Sequence, residues 1–420
     1  MKDALHYLVA TTFGIGTRLA FDLHVEGLAR YRQRPSTLVV VNHKRDSDSI
    51  TVPPLLIFNG VHPIRPMWFA GREDMFVTGF LGLQPPIPAP LRPVLARTNL
   101  TRVLYALHIL PMRRFPERTV HEALDEFVRV AGDRPVSEVL ASQEIQTLPA
   151  PGLREGMVSN LLAWRNRSWW LQKASLRVFL PVWQHELAAL QRDVVDRQLR
   201  AMAAVLDRGD ALYLAAEGVL SSDGRLQQFR AGLRRILALT RSAVRCLPVG
   251  IVYDFMRPGR LRVFITVGEE VPPAASAAEM ERRVRAAVAA LNTMTVSQIG
   301  SRILWDLVAG GADTIGRGRL ESAVRELAAA LRDDSVRVDP ALLDAGATAR
   351  VDGYVAYLTR RGILLEHRGD LLIDAPYLLR VPAADRQNPV RYAVNELESV
   401  RTTLREQGTG SREHTAGSTQ

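Results

Sequence analysis

Six short apolar runs of strand length recur along the first two thirds of the chain, at 37–41, 66–70, 107–112, 210–216, 245–252 and 261–267, with helical patterns between them. Strands that alternate with helices specify an α/β layer architecture. The expected fold is a mixed, largely parallel sheet flanked by helices, with a mainly helical C-terminal extension. The first run, Thr37-Leu38-Val39-Val40-Val41, is rich in β-branched residues and empties into a polar cluster, Asn42-His43-Lys44-Arg45-Asp46-Ser47-Asp48. That is the pattern of a buried strand ending in a loop. If a helix opens at Ser47, the chain folds back and the Asp48 carboxylate meets the His43 ring. A carboxylate on one imidazole nitrogen fixes the tautomer and leaves the other nitrogen as a proton acceptor. On spacing alone, a solvated loop with an incidental histidine is the commoner outcome.

At 420 residues the chain has room for two or three domains, and an apolar content of 47% is ordinary for a globular protein. No uninterrupted apolar stretch approaches the length of a membrane span. The start, Met1-Lys2-Asp3-Ala4-Leu5-His6, lacks the basic region of a secretory signal. Cys246 is the single cysteine, which precludes an internal disulfide and fits a reducing cytoplasm. The net charge of +10 suits partners that carry phosphate, yet only Lys2, Lys44 and Lys173 are lysines. An arginine bias of that kind, beside abundant alanine, follows genome composition as readily as function.

Residues 1–34 are expected to form an amphipathic helical segment, with Leu5, Leu8, Val9, Phe13, Ile15, Leu19, Phe21 and Leu23 at helical spacing. Such a helix packs on a core or lies in a membrane interface. An α/β domain over 35–275 is expected to carry an insertion at about 115–185, where Trp164, Trp169, Trp170 and Trp183 gather beside Arg165, Arg167 and Arg177. These tryptophans, with the arginines, cap an acyl chain, form a membrane-interface patch or fill the insertion's own core. A helix and a glycine-marked linker follow over 276–318. Residues 319–405 read as a helical accessory domain with a hairpin near 362–374, and 406–420 as a disordered tail. Helices with a hairpin also outline a winged-helix module, but the helix at 349–361 offers little base-reading chemistry, so no nucleic acid is expected as partner.

Three further blocks follow the heptad in order. Leu107-His108-Ile109-Leu110-Pro111-Met112-Arg113-Arg114 is a strand ending in a planar cation suited to phosphate. Glu217-Gly218, with Ser221, Gly224, Leu226, Phe229, Arg230 and Gly232 behind it, supplies a turn whose amides can face an oxyanion. Leu247-Pro248-Val249-Gly250-Ile251-Val252-Tyr253-Asp254 is a buried strand. Together the four blocks, over roughly residues 35–270, resemble the glycerolipid acyltransferases, the glycerol-3-phosphate and 1-acylglycerol-3-phosphate O-acyltransferases. The chain departs from their pattern at Arg45, where serine is usual, and at Val219 and Leu220, where threonine and arginine are expected.

The resemblance implies an acyl transfer with His43 as general base and Asp48 as its orienting partner. It implies substrate binding by Asn42, Arg114 or its neighbour Arg113, Glu217, Gly218 and Arg230. The co-substrate would be acyl-CoA or acyl carrier protein, the acceptor glycerol 3-phosphate or a lyso-lipid, and no metal or tightly bound cofactor would be needed. A peripheral position at the anionic cytoplasmic face of the cell membrane follows. The changes at Val219 and Leu220 leave two alternatives open: another lyso-lipid, glycolipid or amine acceptor, or a non-catalytic lipid-binding relative.

Overall fold

The computed structural model describes residues 3–416 apart from 32–33, 59–65, 84–87, 96, 114–117, 149, 163–172, 175 and 381–386. The chain folds into two compact units, one built from residues 1–70, 105–109 and 202–420, the other from 71–104 and 110–201.

The main sheet has seven strands: β1 (Phe21–Glu26), β2 (Thr37–Val41), β3 (Met67–Arg72), β4 (Ile109–Met112), β5 (Ala211–Ala215), β6 (Arg245–Asp254) and β7 (Leu261–Val267). Their order across the sheet is β1-β7-β6-β2-β5-β3-β4. β2 pairs in parallel with β5 and β6, β3 with β5, and β1 with β7, while β6 and β7 form the one antiparallel pair among the registers described. The mixed, largely parallel sheet expected from the apolar runs is therefore present. Leu38, Val39, Val40 and Val41 have no solvent exposure, as a strand covered on both faces requires.

The N-terminal segment is not helical throughout. Helix α1 (Ala4–Ala20) packs against α2 (Asp48–Phe58), but Phe21-Asp22-Leu23-His24-Val25-Glu26 is strand β1. Phe21, Leu23 and Val25 alternate with polar residues and turn toward the sheet core, so the period is two rather than 3.6. Gly27, at φ 75°, then turns the chain sharply against Val267.

Residues 276–416 do not stand apart as an accessory domain, since they belong to the same compact unit as the sheet. Helix α3 (Ala277–Ala290) leads to α4 (Val296–Ala309), which packs along the last helix, α5 (Pro389–Ala416). Ile299, Leu304 and Val308 of α4 and Ala393, Leu397 and Val400 of α5 share one core with Met256, just past β6. That continuity ties the region to the sheet. The expected linker contains a strand, Thr314–Gly316, which joins the hairpin strands Leu364–His367 and Asp370–Ile373 in a small sheet. α5 runs to Ala416, past the expected start of a disordered tail, because extending an existing helix fixes one residue per bond gained.

The second unit covers more than the expected insertion. Leu124, Phe127, Val136, Val139, Leu161 and Phe179 form its own core. Trp183 packs edge-on against Phe127 at 5.0 Å and donates its indole N–H to the Glu138 carbonyl at 2.8 Å. Trp164, Trp169, Trp170, Arg165 and Arg167 lie outside the described residues. No described helix is long and apolar enough to cross a membrane.

Candidate active site

Parallel pairing places the ends of β2, β5 and β6 at one edge of the sheet, the edge where open α/β folds bind ligands. Val41 lies level with Ala215 and with Val249. Two residues on, His43 and Glu217 therefore leave the sheet side by side, and the His43 amide donates to Glu217 Oε1 at 2.8 Å. Asp48 opens α2 as its first residue, so the chain does fold back as the heptad predicts. His43 Nδ1 lies 3.2 Å from Asp48 Oδ2.

Asp48 is fully enclosed and gathers further donors. Its Oδ2 accepts from the Lys44 amide at 2.6 Å and the Arg45 amide at 2.9 Å, and its Oδ1 from the Tyr253 hydroxyl at 2.6 Å. Burial, and then the adjacent Asp48 carboxylate, push the Tyr253 hydroxyl far above its ordinary range, so it stays a donor. Its ring also carries the Arg45 guanidinium at 5.2 Å. His43 Nε2 has no hydrogen-bond partner among the described residues. The ring is thus held on one nitrogen and available on the other.

Several of the expected substrate contacts have other duties. Asn42 is buried, accepting from the Ile251 amide at 2.8 Å and donating to the Ile251 carbonyl at 2.9 Å, so its side chain extends the β2–β6 ladder by one rung. Glu217 spends both carboxylate oxygens on backbone, Oε1 on His43 and Oε2 on the Gln227 amide at 2.8 Å. Burial raises its pKa against the opposing pull of Lys44 and of these two amides. Gly218 makes the expected turn at φ 68°, but its amide is taken by the Ala215 carbonyl at 3.0 Å. The next two amides, of Val219 and Leu220, have no acceptor among the described residues, and the one after them, Ser221, donates to the His43 carbonyl at 3.2 Å.

Arg230 is exposed at the head of the helix Ala231–Leu239, and its side chain packs against Gly218. Arg113 belongs to the second unit, where Glu73 binds it through Nε at 2.6 Å and Nη2 at 3.0 Å, and Glu126 through Nη1 at 2.7 Å. A guanidinium so paired and buried has little left for a phosphate. Arg114 lies outside the described residues.

Two side chains that the sequence leaves unremarked stand beside the site. Tyr253 lies in the fourth block, the strand 247–254, but reads there as core. The parallel β2–β6 register, which sets Val41 level with Val249, is the signal that brings it to Asp48. Lys44 is buried and its Nζ lies 3.1 Å from Glu396 Oε1 of α5. Burial alone would lower the Lys44 pKa, but Glu396, Tyr392 and Glu217 outweigh it and hold the ammonium above its ordinary value. Among the described residues no cluster of three or more His, Cys, Asp or Glu forms a metal site.

No family model matches the chain, and no curated protein matches it. Among solved structures, the 1-acyl-sn-glycerophosphate acyltransferase of Thermotoga maritima is similar at 14% identity and a TM-score of 0.35, over 68% of this chain and 78% of that one.

Proposed function

We propose that the chain is an O-acyltransferase that moves a fatty acyl group from acyl-CoA or acyl carrier protein to the hydroxyl of glycerol 3-phosphate or lysophosphatidate. The observation that carries this reading is the His43 Nδ1 to Asp48 Oδ2 contact of 3.2 Å with Nε2 left unclaimed. Nε2 accepts the proton of the acceptor hydroxyl as its oxygen bonds to the thioester carbonyl carbon. The carbonyl oxygen becomes an oxyanion, to which the amides of Val219 and Leu220, without an acceptor among the described residues, are assigned as donors. Collapse breaks the carbon–sulfur bond, and the leaving thiolate takes the proton back from the imidazolium. Asp48 holds the ring throughout and Tyr253 holds Asp48. Arg230 is the cation in this unit assigned to the acceptor phosphate.

Peripheral attachment to the anionic cytoplasmic face of a membrane fits the same reading. On α1, Leu5, Leu8, Ile15 and Leu19 are 40%, 64%, 58% and 73% exposed along one helical face.

A second reading keeps the chemistry and changes the acceptor to another lyso-lipid, a glycolipid or an amine. It rests on Leu220, an apolar side chain 37% exposed where an arginine would face phosphate. Radiolabelled palmitoyl-CoA offered with a panel of acceptors separates the two. Label in phosphatidate or lysophosphatidate supports the first acceptor class, label only in other products supports the second, and no acyl product from any acceptor contradicts both.

A further inference from the structure

Helix α5 grips both loops of the candidate site. Asn395 donates to the Asp223 carbonyl at 2.9 Å, and Ser399 Oγ accepts from the Leu226 amide at 3.0 Å. Gly224, at φ 91°, brings its backbone so close to the Tyr392 carbonyl that a Cβ would sit 2.1 Å from that oxygen. These contacts hold the loop that carries Glu217 to Arg230. The other loop is held by Lys44, whose Nζ lies 3.1 Å from Glu396 Oε1 and donates to the Gly224 carbonyl at 2.9 Å. Lys44 and Glu396 side chains are only 4% and 3% exposed.

Glu396 is itself braced. Gln298 Nε2 donates to its Oε2 at 2.7 Å, and Gln298 Oε1 accepts from the Thr295 amide at 3.0 Å. The Thr295 and Ser297 hydroxyls reach Asp254 Oδ1 at 3.1 and 2.6 Å, and Arg262 binds Asp254 Oδ2 at 3.0 Å. The chain of bonds thus runs from the sheet, through α4 and α5, to the residue next to the base.

We propose that Lys44 and Glu396 are positioning residues, through which α5 sets the His43–Asp48 geometry. The inference rests on the acyltransferase reading for its consequence in rate, but not for its geometry. A buried ion pair adds little net stability over an apolar pair of the same size, yet it fixes distance and direction closely. Here it fixes the one residue whose amide, at 2.6 Å, is the shortest donor to Asp48 Oδ2, the oxygen that holds the His43 ring. Small displacements of a base from its substrate are costly in rate.

The test compares Glu396→Gln and Glu396→Asp with the parent protein by two readouts. One is the low-field Nδ1 proton signal of His43 in ¹⁵N-histidine-labelled protein, assigned by its absence in His43→Ala. The other is acyl transfer from palmitoyl-CoA to whichever acceptor the panel selects. Glu396→Gln is expected to shift or broaden the signal and to lower kcat roughly tenfold or more while KM stays within about twofold. Glu396→Asp, which keeps the charge, recovers the larger part of both. A Glu396→Gln protein with the parent signal and kcat overturns the proposal, as do losses that merely match the unfolded fraction seen by circular dichroism. If Glu396→Gln does not fold, Lys44→Met/Glu396→Leu, which leaves no lone buried charge, is measured instead. A displaced His43 signal there supports the proposal and an unchanged one overturns it. If no acceptor is acylated, the activity arm fails with the proposed function, and the resonance alone decides the positioning role.

Discussion

Asp48 is the residue on which the site turns. One carboxylate takes four donors, from His43, Lys44, Arg45 and Tyr253. Tyr253→Phe strips one buried oxygen of its partner, which is expected to lower stability by about 1–3 kcal/mol and to slow transfer roughly tenfold. Thermal unfolding and kcat on the same preparation measure both. The opposite case is Cys246, whose thiol has no partner among the described residues: burial pushes it up to about 12 from an ordinary 9.0. The unfolded chain therefore loses this proton first, and the stability tied to it is complete below pH 9.0 and declines as pH rises toward 12. The decline is at most about 1.4 kcal/mol per pH unit. Cys246→Val should flatten the onset of that slope in urea titrations, and the native thiol should resist alkylation at about pH 8. His43 and Asp48 were legible because both lie in one heptad. The engagements of Glu217 and Arg113 were not: the first needs the register of strands far apart in sequence, the second needs Glu73 and Glu126.

Among the secondary-structure elements, the sheet is legible in the sequence, and each departure from local pattern has an identifiable cause. The strands of the main sheet other than β1 announce themselves as short apolar runs. β1 was hidden because Phe21, Leu23 and Val25 continue the apolar tally of α1, although their alternation has the period of a strand. α4 lies in the stretch expected as helix and linker, yet Thr295-Val296-Ser297-Gln298 is a capping box, and both of its reciprocal bonds are present. Thr295 also reaches Asp254 at 3.1 Å, so this cap joins α4 to the end of β6. Thr295→Ala is expected to lower the stability of the protein by about 1–2 kcal/mol, read as a lower urea midpoint with an unchanged slope. A midpoint equal to that of the parent protein would show that the cap is redundant.

Taken as a molecule, the chain does not divide where composition changes. Glycines near 310 and 316 suggest a boundary, but the core shared by Met256, α4 and α5 runs across it. Burial of α5 against α4 is a long-range outcome that local pattern does not reveal, because each helix is amphipathic on its own and its partner is chosen by the whole fold. The same packing brings Glu396 to Lys44 and joins the C-terminal region to the loops after β2 and β5. On the proposed reading, the sheet edge carries an acyl-transfer site whose base is held by Asp48 and, through Lys44 and Glu396, by α5. The decisive comparison is the rate of acyl transfer from radiolabelled palmitoyl-CoA by the parent protein and by His43→Ala, with circular dichroism showing both folded. The parent is expected to transfer label to an acceptor hydroxyl and the variant to fall by a factor on the order of 10² to 10⁴; a His43→Ala protein that transfers at the parental rate would contradict the assignment of the base and the mechanism built on it.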